Sequence, residues 1–186
     1  MSTIIKRTTT KGHRLNPHNG LNKQECFQLE KDCLTLLNSN FECKCHVKCE
    51  HFPRIVSCNP DKCKFLLSNC GFSLDKLPKL LIPRASNIEQ QIDCIIFNLQ
   101  KCKIKHLDMV RNGQNVCVNE NGIISIIDFD IAAIDNDYKT KKIKLRANEE
   151  SYGKYYGITL NNEDDYYAKL KKILTHLIQK KTTNIM

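Results

Sequence analysis

Residues 106–130 read HLDMVRNGQNVCVNENGIISIIDFD, and this stretch decides how the chain is built. It holds two apolar runs, Asn115-Val116-Cys117-Val118 and residues 123–127, parted by Asn119-Glu120-Asn121-Gly122. Asn-Gly between two apolar runs is the strongest short hairpin signal, because both turn positions tolerate positive φ. A hairpin there brings Asn115 beside Asp128, which opens Asp128-Phe129-Asp130. A carboxylate next to an amide oxygen is a pair of hard donors that suits Mg²⁺. Asp108, two residues after His106, faces the same space and is free to accept a proton or orient a hydroxyl.

Upstream, Ile88, Ile92, Ile95, Ile96 and Leu99 make the buried stripe of a helix over residues 86–102, with Ser86 or Asn87 as its cap. A second helix is expected over residues 24–37, where Phe27, Leu34 and Leu37 share a face with Cys33 alongside. Residues 3–5, 52–56 and 64–67 read as strands, the last two joined by the turn Asn59-Pro60-Asp61-Lys62. Residues 8–22 and 38–51 are polar connections. Cys70-Gly71-Phe72-Ser73-Leu74 marks a change of organisation, followed by loops with Pro78 and Pro83. A last helix is expected from about 162 to 179, with Tyr166, Leu170, Ile173, Leu174, Leu177 and Ile178 on one face. The fold class is therefore α+β.

In this order the residues resemble the protein-kinase-like superfamily, whose pattern is His-x-Asp, a metal-binding Asn, a hairpin and Asp-Phe-Gly. The resemblance implies a two-lobed fold, with a reduced N-terminal lobe over residues 1–70 and a mostly helical C-terminal lobe over 71–186. It implies ATP and Mg²⁺ as cofactors. By motif, Asp108 matches the catalytic base and His106 the scaffold histidine. Asn115 and Asp128 match the metal ligands. Lys6 matches the phosphate-pairing lysine, with Glu30, or second Glu25, as its helix partner. Two functions follow. One is phosphoryl transfer from ATP to a Ser/Thr hydroxyl. The other is a pseudokinase, a binding or scaffold module associated with nucleic acid or a virion.

The sequence departs from the family pattern in several places. Asp108 and Asn115 are two residues further apart than the family loop, and Asn112 falls one residue early. Asp130 stands where the family has Gly, no Gly-rich loop precedes Lys6, and no Ala-Pro-Glu segment follows. Asp-Phe-Asp and the short chain are closer to atypical, aminoglycoside-phosphotransferase-like or large-DNA-virus kinases. Plainer readings stand beside these roles. Lys6 and Glu30 are equally readable as solvated charges, and Asp108 and Asp128 as turn formers. His106 reads as a structural histidine bonded to backbone, and Asp130 as a third metal ligand or a polar strand end.

The formal charge is +9, from 29 basic and 20 acidic residues, which favours polyanions, nucleic acid among them. Residues 139–146, with Tyr138, Tyr152, Tyr155 and Tyr156 nearby, are the densest basic stretch. No apolar run reaches the roughly 20 residues of a membrane span, and residues 1–7 lack a secretory pattern. An intracellular, reducing location is expected, with the eleven cysteines as thiols. Cys43, Cys45, Cys49 and His51, with His46 between and Cys58 and Cys63 following, are zinc-ligand types. Their compressed spacing favours incidental thiols over a zinc site.

Overall fold

A computed structural model of the chain describes residues 3–8, 20–45, 50–77, 87–109, 113–134 and 163–183. The chain is mixed α and β. Its first sheet has the order β1-β3-β2, all antiparallel: β1 is Thr3–Arg7, β2 Ile55–Asn59 and β3 Lys64–Ser68. The β2–β3 turn forms as the sequence predicts. The Asn59 side chain accepts from the Lys62 N–H at 3.0 Å, the Asx geometry that closes such turns. Strand β1 buries little; Ile5 is 73% exposed, and its neighbours Ile4 and Lys6 point to the other face.

Helix α1, Lys23–Ser39, starts with a capping box. Asn22 Oδ1 accepts from the Glu25 N–H at 3.0 Å, and Glu25 accepts from the Asn22 N–H at 2.7 Å. Glu25 is thereby a cap, which removes it as the second candidate for pairing Lys6. The helix buries Cys26, Phe27, Glu30, Cys33, Leu34 and Leu37. Phe27 stacks on Phe65 of β3 with ring centres 4.3 Å apart, fastening α1 to the sheet.

The second sheet has the order β4-β6-β7, with β4 Phe72–Ser73, β6 Val116–Val118 and β7 Ile124–Ile126. The β6–β7 hairpin forms where Asn-Gly predicts it, in the register Val116↔Ile126. Helix α2, Ile88–Lys101, packs its stripe against this sheet. Asn87 precedes α2 in a left-handed conformation and makes no side-chain cap bond; Ser86 lies outside the described residues. Buried Gln91 binds the turn from both ends of its amide, donating to Gly122 O at 3.0 Å and accepting from the Ile124 N–H at 2.8 Å. A two-stranded pair absent from the sequence reading, β5 Ile104–Lys105 with β8 Ala133–Ile134, brackets the hairpin. Helix α3, Glu163–Thr183, lies on α2 and buries Tyr166, Leu170, Leu174 and Ile178.

Both sheets share one core. Phe65 and Phe27 connect through Phe52 and Phe129 to Leu99 and Leu174 in a continuous buried cluster. Hydrogen bonds tie β7 to the segment before β2 as well: Ile126 N–H donates to His51 O at 2.8 Å, and the Ser125 hydroxyl to Glu50 O at 2.9 Å. The described helices include none long and apolar enough to cross a membrane.

Candidate functional site

A cavity of about 470 Å³ opens between the two sheets, lined among others by Ile4 of β1, Gly71, Asn115, Ile127 and Asp128. Lys6 meets the cavity through Asp128, which lines it. Because Ile4 and Lys6 share the inner face of β1, one lines the cavity and the other aims its ammonium at the carboxylates below. Lys6 Nζ lies 2.6 and 2.7 Å from the two oxygens of Glu30 and 2.6 Å from Asp128 Oδ1. The Glu30 side chain is 1% exposed. A carboxylate so deep in an apolar helix face costs several kcal/mol unless it is paired, and Lys6 is the pair. Oε1 of Glu30 also accepts from the Phe129 N–H at 3.4 Å.

Burial and charge set the protonation states. Burial alone would depress the Lys6 ammonium, but Glu30 and then Asp128 outweigh it and hold its pKa above the ordinary value. Burial pushes the Glu30 carboxyl up, and Lys6 offsets part of that rise. Asp128 is pushed up by burial and pulled down further by Lys6, so it ends below the usual carboxylate range. Asp130 is raised to about 8 by burial and by the Asp128 charge beside it. Burial and the neighbouring charge therefore favour the proton on Asp130 over Asp128.

The hairpin places Asn115 as the sequence predicts. Ile127 N–H donates to Asn115 O at 3.0 Å, setting Asp128 next to Asn115 at the hairpin's open end. Asn115 Nδ2 donates to Asp108 O at 2.8 Å and to Asp108 Oδ2 at 3.0 Å. This use of the amide nitrogen leaves Oδ1 of Asn115 for a cation. Asp108, Asn115 and Asp128 therefore belong to one constellation, joined by Lys6 and Glu30. Asn112 lies outside the described residues.

His106 is structural in its contacts. A carbonyl only accepts, so Nε2 donates to Ile127 O at 2.9 Å, while Nδ1 accepts from the Asp108 N–H at 3.3 Å. Both nitrogens are used by the neutral ring. Burial lowers its pKa to about 4. The ring meets Phe129 edge-on at 4.6 Å, which locks Asp128-Phe129 to the His106-Leu107-Asp108 turn.

Backbone strain gathers at the same place. Leu107 has φ 54° and Asp128 φ 72°, a region that bulky residues rarely occupy. Each costs on the order of 1–3 kcal/mol, and such strain persists where surrounding structure holds a functional geometry.

The chain matches no protein-family model and no curated protein. Its chemistry is therefore legible from its own geometry alone. One group escaped the sequence reading. The Tyr166 hydroxyl accepts from the His106 N–H at 2.9 Å, yet a Tyr on an apolar helix face reads as core. Asp130, read from the sequence as a third metal ligand or a polar strand end, stands beside Asp128 in a buried setting that raises its pKa. Two oxygen donors lining one cavity, with Asp128 ionised, fit a magnesium ion.

The cysteine cluster differs from its expectation. Cys49 and His46 lie outside the described residues, and Cys63 donates instead to Gln24 Oε1 at 2.9 Å. Cys43 and Cys45 meet Cys94 of α2. The basic stretch 139–146 and Tyr138, Tyr152, Tyr155 and Tyr156 also lie outside the described residues.

Proposed function

We propose that this chain is an ATP- and magnesium-dependent phosphotransferase with the two-lobed architecture of the protein-kinase-like superfamily, acting on a Ser/Thr hydroxyl. The β1-β3-β2 sheet with α1 is the smaller lobe in this reading, and residues 71–186 form the larger. The observation that supports it best is the Lys6–Glu30 ion pair standing over Asp128 at the cavity edge. A chain selected only for stability has little reason to bury this pair, since apolar residues of equal size are often as stabilising. A rigidly held cation beside two oxygen donors meets the charge of a polyphosphate.

The roles follow from the contacts. Glu30 fixes Lys6 so that its ammonium exchanges Asp128 for phosphate oxygens when nucleotide enters. Asn115 Oδ1 and Asp128 would hold magnesium, which supplies charge neutralisation on the phosphates when bound. Ile4 and Ile127 offer apolar walls for a base, with Cys70, Gly71 and Ser73 beside them. Asp108, oriented by Asn115, positions the acceptor hydroxyl and takes up its proton. His106 and Phe129 keep the two Asp-bearing turns in register and touch no reacting atom.

A second reading, a nucleotide-binding or scaffold module without turnover, draws support from one feature. Asp128 Oδ1 is already held by Lys6, and Asp130 crowds it where the family has Gly. Transfer of label from radiolabelled ATP to the chain itself or to a generic Ser/Thr protein separates the two. Turnover that falls about 10²- to 10⁴-fold in Asp108→Ala supports catalysis by this site. Turnover that survives the substitution removes Asp108 from its role.

A further inference from the structure

Among the described residues, the three Sγ atoms of Cys43, Cys45 and Cys94 lie within 4.8 Å of one another. Cys43 and Cys45 belong to the segment after α1, and Cys94 to α2. The Cys43–Cys45 sulfur separation is 3.9 Å, and Nε2 of His51 stands 3.4 Å from Cys45 Sγ. In a tetrahedral zinc centre, Zn–S near 2.3 Å and Zn–N near 2.0–2.1 Å put sulfurs about 3.8 Å apart and sulfur and nitrogen about 3.6 Å apart. Two edges of such a tetrahedron are thus near their expected lengths; His51 touches Cys45 but lies outside the 4.8 Å that the three sulfurs keep among themselves, so its ring has to shift toward Cys43 and Cys94 to complete the set.

We propose that Cys43, Cys45, Cys94 and His51 form a closed structural zinc site. Contacts beyond two of the ligands support it. His51 Nδ1 lies 2.6 Å from the Ile124 carbonyl, which has no proton to give, so Nδ1 donates and Nε2 keeps its lone pair for the cysteine side. Cys94 Sγ accepts from the Lys44 N–H at 3.3 Å, a contact that favours the thiolate a metal needs. Asn98 holds the same segment from both sides: its Nδ2 donates to Glu42 O at 2.9 Å and its Oδ1 accepts from the Glu42 N–H at 2.8 Å. Cys45, Cys94 and His51 are buried and Cys43 is exposed, which gives the ion an entry. Each thiol releases its proton on binding, and four protein ligands leave no place for a reactive water. The ion would tie the segment after α1 to α2 and, through Ile124, to β7. It would thereby set the position of the helix that carries Glu30.

Cys94, contributed by a distant helix, takes the place that local spacing would give to Cys49. The full chain, purified in reducing buffer without chelator, is assayed for bound zinc and for the visible absorption of a cobalt–thiolate centre on Co²⁺ titration. About one zinc ion per chain is expected. Content falls at least about tenfold in Cys43→Ser and Cys94→Ser and is kept in Cys49→Ser and Cys102→Ser. Cys43 is exposed, so Cys43→Ser keeps the parent's circular dichroism, which separates ligand loss from unfolding. The proposal is overturned by a parent chain that carries no zinc and takes up no Co²⁺. It is equally overturned if Cys43→Ser and Cys94→Ser retain zinc, or if Cys49→Ser is the variant that loses it. None of these readouts depends on phosphoryl transfer.

Discussion

Lys6 and Glu30 illustrate how much one buried charge constrains its neighbours. Removing the ammonium alone strands a carboxylate that is 1% exposed, so Lys6→Met is expected to cost about 3 kcal/mol in urea unfolding. Lys6→Met with Glu30→Gln should recover a large part of that cost; equal loss in the single and double variants would contradict the pairing. His106 gives a pH signature. Its folded pKa of about 4 lies below the ordinary 6.5, so between these values the unfolded chain binds a proton that the folded chain does not. Its stabilising contribution is complete above 6.5 and is lost as pH falls toward 4, by about 3 kcal/mol at most. Asp130, raised to about 8, acts in the opposite sense, contributing stability at low pH that is lost as pH rises through 8. The His106 effect is therefore read as the stability advantage of the parent over His106→Gln, which should narrow from about pH 7 to about pH 5. A constant difference would mean that the ring is not held neutral. At this scale the sequence was informative wherever a residue's partner is near in the chain, as with Asp108, Asn115 and Asp128. Tyr166 and Cys94 meet their partners across α3 and α2, and nothing in local spacing marks them.

Strand β4 is two residues long, and its pairing with β6 depends on one glycine. Gly71 has φ 93°, and a Cβ there would stand 2.3 Å from the Val118 carbonyl oxygen, which belongs to backbone and cannot swing away. Gly71→Ala is expected to destabilise the chain by about 2 kcal/mol or more and to weaken any ligand of the adjoining cavity, measured by urea unfolding and by titration. A neutral outcome in both would show that β4 does not shape the cavity. The long elements were legible because periodicity over many residues averages out local exceptions: α1, α2 and α3 stand within a few residues of their expected bounds. Strands β5 and β8 were not, because two residues carry no period. The Asn87 cap failed for a related reason; its backbone is left-handed, which removes the geometry an N-cap side chain needs.

Across the whole molecule, the cavity exists because two small sheets share one core while keeping their polar edges apart. Phe52 and Phe129 fill the join, and Lys6, Glu30 and Asp128 span the gap above it. The α+β class could be read from the order of elements. How the sheets meet could not, since residues 50 and 51 lie against β7 through their backbone carbonyls, which accept from the Ser125 hydroxyl and the Ile126 N–H and leave no trace in the side-chain pattern. The central claim is that Lys6, Asn115 and Asp128 together hold a magnesium nucleotide. Calorimetric titration of the full chain with ATP tests it, run with Mg²⁺, with Mg²⁺ removed by chelator, and in Asp128→Asn. Saturable binding that weakens at least about tenfold, or 1.4 kcal/mol, both on magnesium removal and in Asp128→Asn is the predicted result. No heat at millimolar nucleotide, or binding indifferent to magnesium and to Asp128, would contradict it.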